Sequence, residues 1–108
     1  MSYKVELSDN FRKEAKKLIK KYESLRSEIT FLGTALAENP FLGTPLGNDV
    51  YKIRLSIASK GRGKSGGARI ISFARVIGKT VYLLSIYSKG EKDSISDKKI
   101  KELMKDYL

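Results

Sequence analysis

Lys52 and Arg54 stand two residues apart in Tyr51-Lys52-Ile53-Arg54-Leu55, a run that alternates apolar and polar side chains. On an extended strand, residues i and i+2 share a face, so the two cations project together, opposite Tyr51, Ile53 and Leu55. Arg69 opens the next strand-like run, and Lys89 follows the one after it. If these runs pair antiparallel, Arg69 comes beside the end of the first strand and Lys89 joins the same rim. Four cations then converge, and residues 50–90 contain no carboxylate to neutralise them. Like charges gathered in this way are costly unless an anion sits among them, so an anion-binding surface is the expected purpose.

Between these runs lies Ser59-Lys60-Gly61-Arg62-Gly63-Lys64-Ser65-Gly66-Gly67-Ala68-Arg69, with four glycines, four cations and no acid. Glycine lets the backbone approach a ligand, and amides flanked by Lys and Arg suit phosphate oxygens. Lys60, Arg62 and Lys64 are therefore expected to hold RNA backbone. Gly63-Lys64-Ser65 also resembles the end of a nucleotide-binding P-loop, but Ala58 replaces the first glycine and a β-pattern follows where a helix should start. ATP or GTP binding is not expected there, and no cofactor is predicted.

The charge distribution agrees. The chain carries 22 Lys and Arg against 12 Asp and Glu, a formal +10. Residues 1–49 hold eight cations against seven acids, residues 50–92 hold ten against one, Glu91, and residues 93–108 hold four against four. A field concentrated in one segment points to a polyanionic partner. The chain has no histidine and no cysteine. An imidazole acid–base pair, a thiolate zinc site and a cysteine nucleophile are thus excluded, and no clustered carboxylates suggest a metal site. RNA chemistry here must rest on Lys, Arg and Tyr, and a lysine serves as base only if its pKa falls from about 10.4, the direction in which adjacent cations push it.

The elements that must position these side chains are legible in outline. Val5 and Leu7 alternate with polar residues as in a half-buried strand, and Ser8-Asp9-Asn10 offers N-cap side chains. Phe11, Ala15, Leu18, Ile19 and Tyr22 then follow at helical spacing, with Lys13, Lys16, Lys17, Lys20 and Lys21 on what reads as a solvated outer face. A second helix carries Leu25, Ile29, Leu32 and Leu36 and stops at Asn39-Pro40. Residues 39–49 read as a loop, residues 51–57 as a strand, and residues 68–77 and 79–87 as a hairpin. Ser96 can cap a last helix bearing Ile100, Leu103, Met104 and Tyr107. The expected fold is α+β: two N-terminal antiparallel helices on a twisted, largely antiparallel sheet of about four strands, with a short C-terminal helix. With 108 residues, 41% hydrophobic, a single domain over residues 1–108 is expected. No apolar run approaches the length of a membrane span and no leader is apparent, so a cytoplasmic protein without a membrane partner is expected.

Tyr51-Lys52-Ile53-Arg54-Leu55, the loop from Lys60 through Arg69-Ile70-Ile71, and Tyr82-Leu83-Leu84-Ser85-Ile86-Tyr87-Ser88-Lys89 together resemble the RelE/ParE superfamily of bacterial toxins, and within it the HigB-type RelE branch. The resemblance covers nearly the whole chain. It implies the toxin of a type II toxin-antitoxin system, held inactive by a cognate antitoxin that is a small DNA-binding protein. Once free, such a toxin cleaves mRNA on the ribosome, beside 16S rRNA, by 2′-hydroxyl attack on the adjacent phosphate. Carried over by position, Lys52 becomes a base or proton relay, Arg54 and Arg69 stabilise phosphorane charge, and Lys89 positions substrate or leaving group. The tyrosine that some relatives place after the last basic residue falls near Ile95. Tyr87 is then either a substitute, by stacking on a base or donating its hydroxyl, or a core aromatic. Two other readings share these features: a ParE-like toxin that binds DNA gyrase, and a non-catalytic RNA-binding module.

Overall fold

The computed structural model describes residues 2–60, 66–92 and 94–108. Strand β1, Lys4–Leu7, ends at Ser8, whose hydroxyl accepts from the Phe11 amide at 3.0 Å and so caps helix α1, Asp9–Lys21. Asp9 in the first turn and Lys20 and Lys21 in the last complement the helix dipole. Helix α2, Leu25–Glu38, follows after a short turn. Phe11, Ala15 and Leu18 of α1 and Leu25, Leu32 and Leu36 of α2 are buried against one face of the sheet, with Ile53, Ile70, Val81, Leu83 and Ile86.

Strand β2, Thr44–Gly47, pairs antiparallel with β3, Val50–Leu55, through Asn48 and Asp49 at φ 55° and 64°. The sequence suggests only a loop here, because Pro45 and Gly47 argue against a strand. An exposed edge strand tolerates a proline, and Asn-Asp accommodates positive φ in a tight hairpin. A short 3-10 turn, Ala58–Lys60, precedes β4, Ala68–Arg75, which forms a hairpin with β5, Thr80–Ser88. Helix α3, Asp97–Met104, is capped by Ser96, whose hydroxyl accepts from the Lys99 amide at 3.1 Å. Ile100 and Met104 of α3 cover Val50, Ile71, Phe73 and Leu84 on the sheet's second face.

The sheet among the described residues has five strands in the order β1-β5-β4-β3-β2, one more than expected. Its interior pairings are antiparallel, but β1 runs parallel to β5. Register slips between Ile71 and Ser72, which pair with Ser85 and Leu83, so Leu84 is an extra residue in β5. Val81 and Leu83 pack with the helices α1 and α2, and by strict alternation Tyr87 would join them. The bulge reverses the phase: Ile86 faces those helices and Tyr87 the α3 side.

Beyond Leu7, β5 has lost its β1 neighbour, and α1 side chains take over the open edge. The Asn10 amide donates to the Leu84 carbonyl at 3.0 Å, and the Glu14 carboxylate accepts from the Ile86 amide at 3.3 Å and the Ser85 hydroxyl at 2.7 Å. Buried backbone groups that a sixth strand would have paired are thereby satisfied.

Candidate nucleic-acid interface

Arg54 and Arg69 are direct partners across β3 and β4, and Arg69 in turn partners Tyr87 across β4 and β5. Directly opposed residues of an antiparallel sheet project to the same side, so the three side chains form one row on the α3 face. Lys52 partners Ile71 one step along β3 and shares that face. Gly43 and Gly67 reveal the hydrogen-bonding phase. A Cβ at Gly43 would meet the Lys52 carbonyl, which therefore points toward β2, whereas one at Gly67 would collide with the Leu55 carbonyl on the β4 side. Arg54 thus belongs to a non-hydrogen-bonded pair, the kind in which facing side chains stand closest.

Burial divides the row. Arg54 is exposed and Lys52 half-buried, but Arg69 is only 5% exposed and Tyr87 4%. Arg69 donates to its neighbour's carbonyl, Ala68, at 3.1 Å. Tyr87 packs in the α3-side cluster with the Lys92 ammonium 5.4 Å from its ring centre, and its hydroxyl has no hydrogen-bond partner among the described residues. Burial pushes the Tyr87 pKa above its ordinary value, against an opposing pull from the Arg69 guanidinium, so the hydroxyl keeps its proton at neutral pH. Neither Lys52 nor Arg54 makes a salt bridge among the described residues. The arrangement sets two facing guanidinium groups and a lysine on one face of the sheet, with the neutral Tyr87 phenol packed beside them. That set can bind a phosphate through charge-assisted hydrogen bonds and stabilise added negative charge on it.

Lys89 lies in the turn after β5, where its amide donates to the Gly67 carbonyl at 3.0 Å and ties that turn to the start of β4. Lys60 does not join the arginine row. Its ammonium donates to the Ser88 hydroxyl at 2.8 Å and sits 5.5 Å from the Tyr22 ring centre. Ser88 partners Ala68, a residue of the α1/α2-side cluster, so Lys60 serves the opposite side of the sheet's end. Arg62 and Lys64, with the P-loop-like Gly63-Lys64-Ser65, lie outside the described residues. Ile95 packs against the α3-side cluster. No three carboxylates gather as a metal set among the described residues.

Sequence spacing gives no hint of what anchors the loop. Glu28 accepts from the Ala58 amide at 2.7 Å and from the Ser24 hydroxyl at 3.0 Å, and the Ser59 amide donates to Ser24 at 3.0 Å. The start of α2 therefore clamps the turn from which Lys60 extends.

Residues 3–107 match the family model described as the RelE toxin of the RelE/RelB toxin-antitoxin system. The chain belongs to the RelE toxin family. Its fold is that of solved RelE structures at low identity. A free arginine-to-alanine double mutant of E. coli RelE is 21% identical over all of both chains, with a TM-score of 0.67. The same mutant in complex with a peptide of the antitoxin RelB is 20% identical, again over all of both chains, with a TM-score of 0.62. The RelBE2 toxin-antitoxin complex of Mycobacterium tuberculosis contributes a chain 21% identical, covering 82% of this chain and 92% of that one, with a TM-score of 0.60. Among the described residues, no helix of this RelE-family chain is long and apolar enough to cross a membrane.

Proposed function

We propose that this chain is a HigB-type toxin of a type II toxin-antitoxin system, a single domain over residues 1–108 that cleaves mRNA on translating ribosomes. The observation that carries the reading is the row Arg54, Arg69 and Tyr87 on three adjacent strands with Lys52 beside it. A sheet gains nothing from two arginines facing each other, since like charges directly opposite are destabilising. A phosphate between them turns that repulsion into attraction.

In the proposed reaction the 2′-hydroxyl gives its proton to Lys52, acting as base or relay, while its oxygen forms a bond to the adjacent phosphorus. Arg54 and Arg69 stabilise the charge that grows on the phosphorane oxygens, where donors fixed in advance contribute most. The bond to the 5′-oxygen then breaks, leaving a 2′,3′-cyclic phosphate, and the departing oxygen takes a proton. Tyr87 has both its ring and its hydroxyl buried, so its part is to pack beside Arg69 rather than to stack on a base or reach the leaving oxygen. Lys89, on the adjoining turn, positions the leaving side. A cognate antitoxin, a small DNA-binding protein, would hold the toxin inactive; that two relatives are found in complex with antitoxin supports the binding on which this part of the reading depends.

The test is to add purified protein to a translation extract and map mRNA ends by primer extension. Cuts in ribosome-bound message that vanish with Arg69→Ala support the proposal. Intact message with arrested DNA gyrase would favour a ParE-like activity instead.

A further inference from the structure

On the other side of the sheet's end, the C-terminus of α1 and the turn after β5 enclose a cleft of about 490 Å³. Lys21, Tyr22, Ser59, Lys60, Ser88 and Gly90 line it, together with Glu91. The Lys60 and Lys21 ammonium groups stand 5.5 and 5.4 Å from the same Tyr22 ring centre, and Lys60 also donates to the Ser88 hydroxyl at 2.8 Å. Ser88 is 2% exposed, and by accepting from Lys60 it leaves its own proton free to donate. The one acid, Glu91, meets Lys21 at 3.8 Å with both side chains more than half exposed, an ion pair of little strength that a better anion can displace.

Gly90 gives a second, independent indication. Its φ is not among the positive values found at Gly43, Gly47 and Gly78, so the backbone does not require glycine there. A Cβ at this position would stand 3.9 Å from the Lys60 ammonium and 4.0 Å from the Ser88 hydroxyl. Any larger side chain would lie across the approach to that pair, which glycine leaves open.

We propose that this cleft is a phosphate-binding subsite, with Lys60 and Ser88 as its direct ligands and Lys21 as the supporting charge. Resting on the reading of RNA as substrate, the subsite takes a backbone phosphate neighbouring the one held by Arg54 and Arg69. Ser88 partners Ala68 and Tyr87 partners Arg69, so adjacent residues of β5 point into the two sites from opposite sides of one sheet end. A single strand rounding that end meets both. The C-terminal turn of α1 thereby becomes part of the substrate surface instead of a solvated helix end.

The experiment follows the amide resonances of the whole chain during titration with inorganic phosphate and, separately, with a 2′-O-methyl trinucleotide that cannot be cleaved. Both probes are expected to shift Lys60, Ser88 and Gly90 as well as Arg69, the trinucleotide at the lower concentration. Lys60→Met should weaken trinucleotide binding about tenfold, the loss of one charge-assisted contact. Gly90→Val should weaken it comparably with every charge retained, and Lys98→Met on the exposed face of α3 should leave it unchanged. A thermal melt of each variant separates loss of the site from loss of the fold. Shifts at Arg69 without shifts at Ser88 and Gly90 would overturn the subsite while leaving the substrate reading intact. Shifts at Ser88 and Gly90 by phosphate, with trinucleotide shifts confined to Arg69, would overturn RNA as the ligand's source, and no shift by the trinucleotide anywhere would remove the substrate reading itself. Equal weakening by Lys60→Met and Lys98→Met would reduce the cleft to part of a general positive field and overturn the proposal.

Discussion

Arg69 is held at 5% exposure directly opposite the exposed Arg54, so one guanidinium of the facing pair is fixed by packing while the other is free to close on a ligand. For transition-state stabilisation the fixed group matters more, because a donor already in place needs no reorganisation. Arg69→Ala is therefore expected to lower single-turnover cleavage by roughly 10²–10³-fold with little loss of binding, and Arg69→Lys to recover only part, since an ammonium lacks the planar fork. Cleavage at the parental rate by folded Arg69→Ala would refute the role.

Arg54→Gln should separate stability from activity. Relieving the like-charge pair should stabilise the fold, by up to about 1 kcal/mol, while cleavage falls. Chemical denaturation alongside the cleavage assay checks this, and a fall in stability would show that Arg54 makes an attractive contact instead.

Tyr87 predicts an alkaline limb in stability. Its pKa is raised in the folded state by burial, so its contribution is complete below the unfolded value of about 10 and is lost as pH rises through the folded value. Tyr107 is also raised, by burial first and then by Asp9, Asp106 and Tyr82, against a hydrogen bond from Ser8, and adds to the same limb. Melting temperatures measured from pH 8 to 11 should fall less steeply for Tyr87→Phe than for the parent. Identical profiles would mean that the phenol is not buried as described.

Gly67 and Glu14 give two structural predictions. Any side chain at 67 strikes the Leu55 carbonyl, so Gly67→Ala should part β3 from β4 beside Arg69 and weaken stability and cleavage together. Glu14→Ala should leave the Ile86 amide and Ser85 hydroxyl without their acceptor, at a cost of about 1–3 kcal/mol. Hydrogen exchange at Ile86 should accelerate in that variant, and unchanged exchange would assign the edge's protection elsewhere.

RNA affinity should fall steeply with salt, with a slope of about 0.7 per phosphate contact for single strands. Replacing Lys60, Arg62 and Lys64 together should flatten the slope. An unchanged slope would remove the loop from the interface.

The sequence makes plain what local chemistry determines. Ser8 and Ser96 cap the helices where their hydroxyls suggest, and the alternation around Lys52 and Arg54 gives their common face. Pairing between strands distant in sequence is less visible. Nothing in Lys4–Leu7 indicates a parallel partner, and Thr44–Gly47 hides a strand behind residues that usually break one. Lys60 looks like its loop neighbours, but Tyr22 and Ser88, 38 and 28 residues away, draw it to the other side of the sheet. Tyr87 offers two sequence readings, and the spacing could not show that its ring lies in the core with a buried hydroxyl that has no hydrogen-bond partner among the described residues.

Leu84 is the residue whose loss the sheet is best placed to absorb, because as the extra residue of the bulge it has no partner on β4. Deleting it would leave the pairs Ser72–Leu83, Ile71–Ser85, Ile70–Ile86 and Arg69–Tyr87 as an unbroken ladder, so Ile86 would stay among α1 and α2 and Tyr87 beside Arg69. A length difference of one residue at this point of the strand would thus be absorbed by the bulge, and the surface beside Arg69 would keep its chemical equipment.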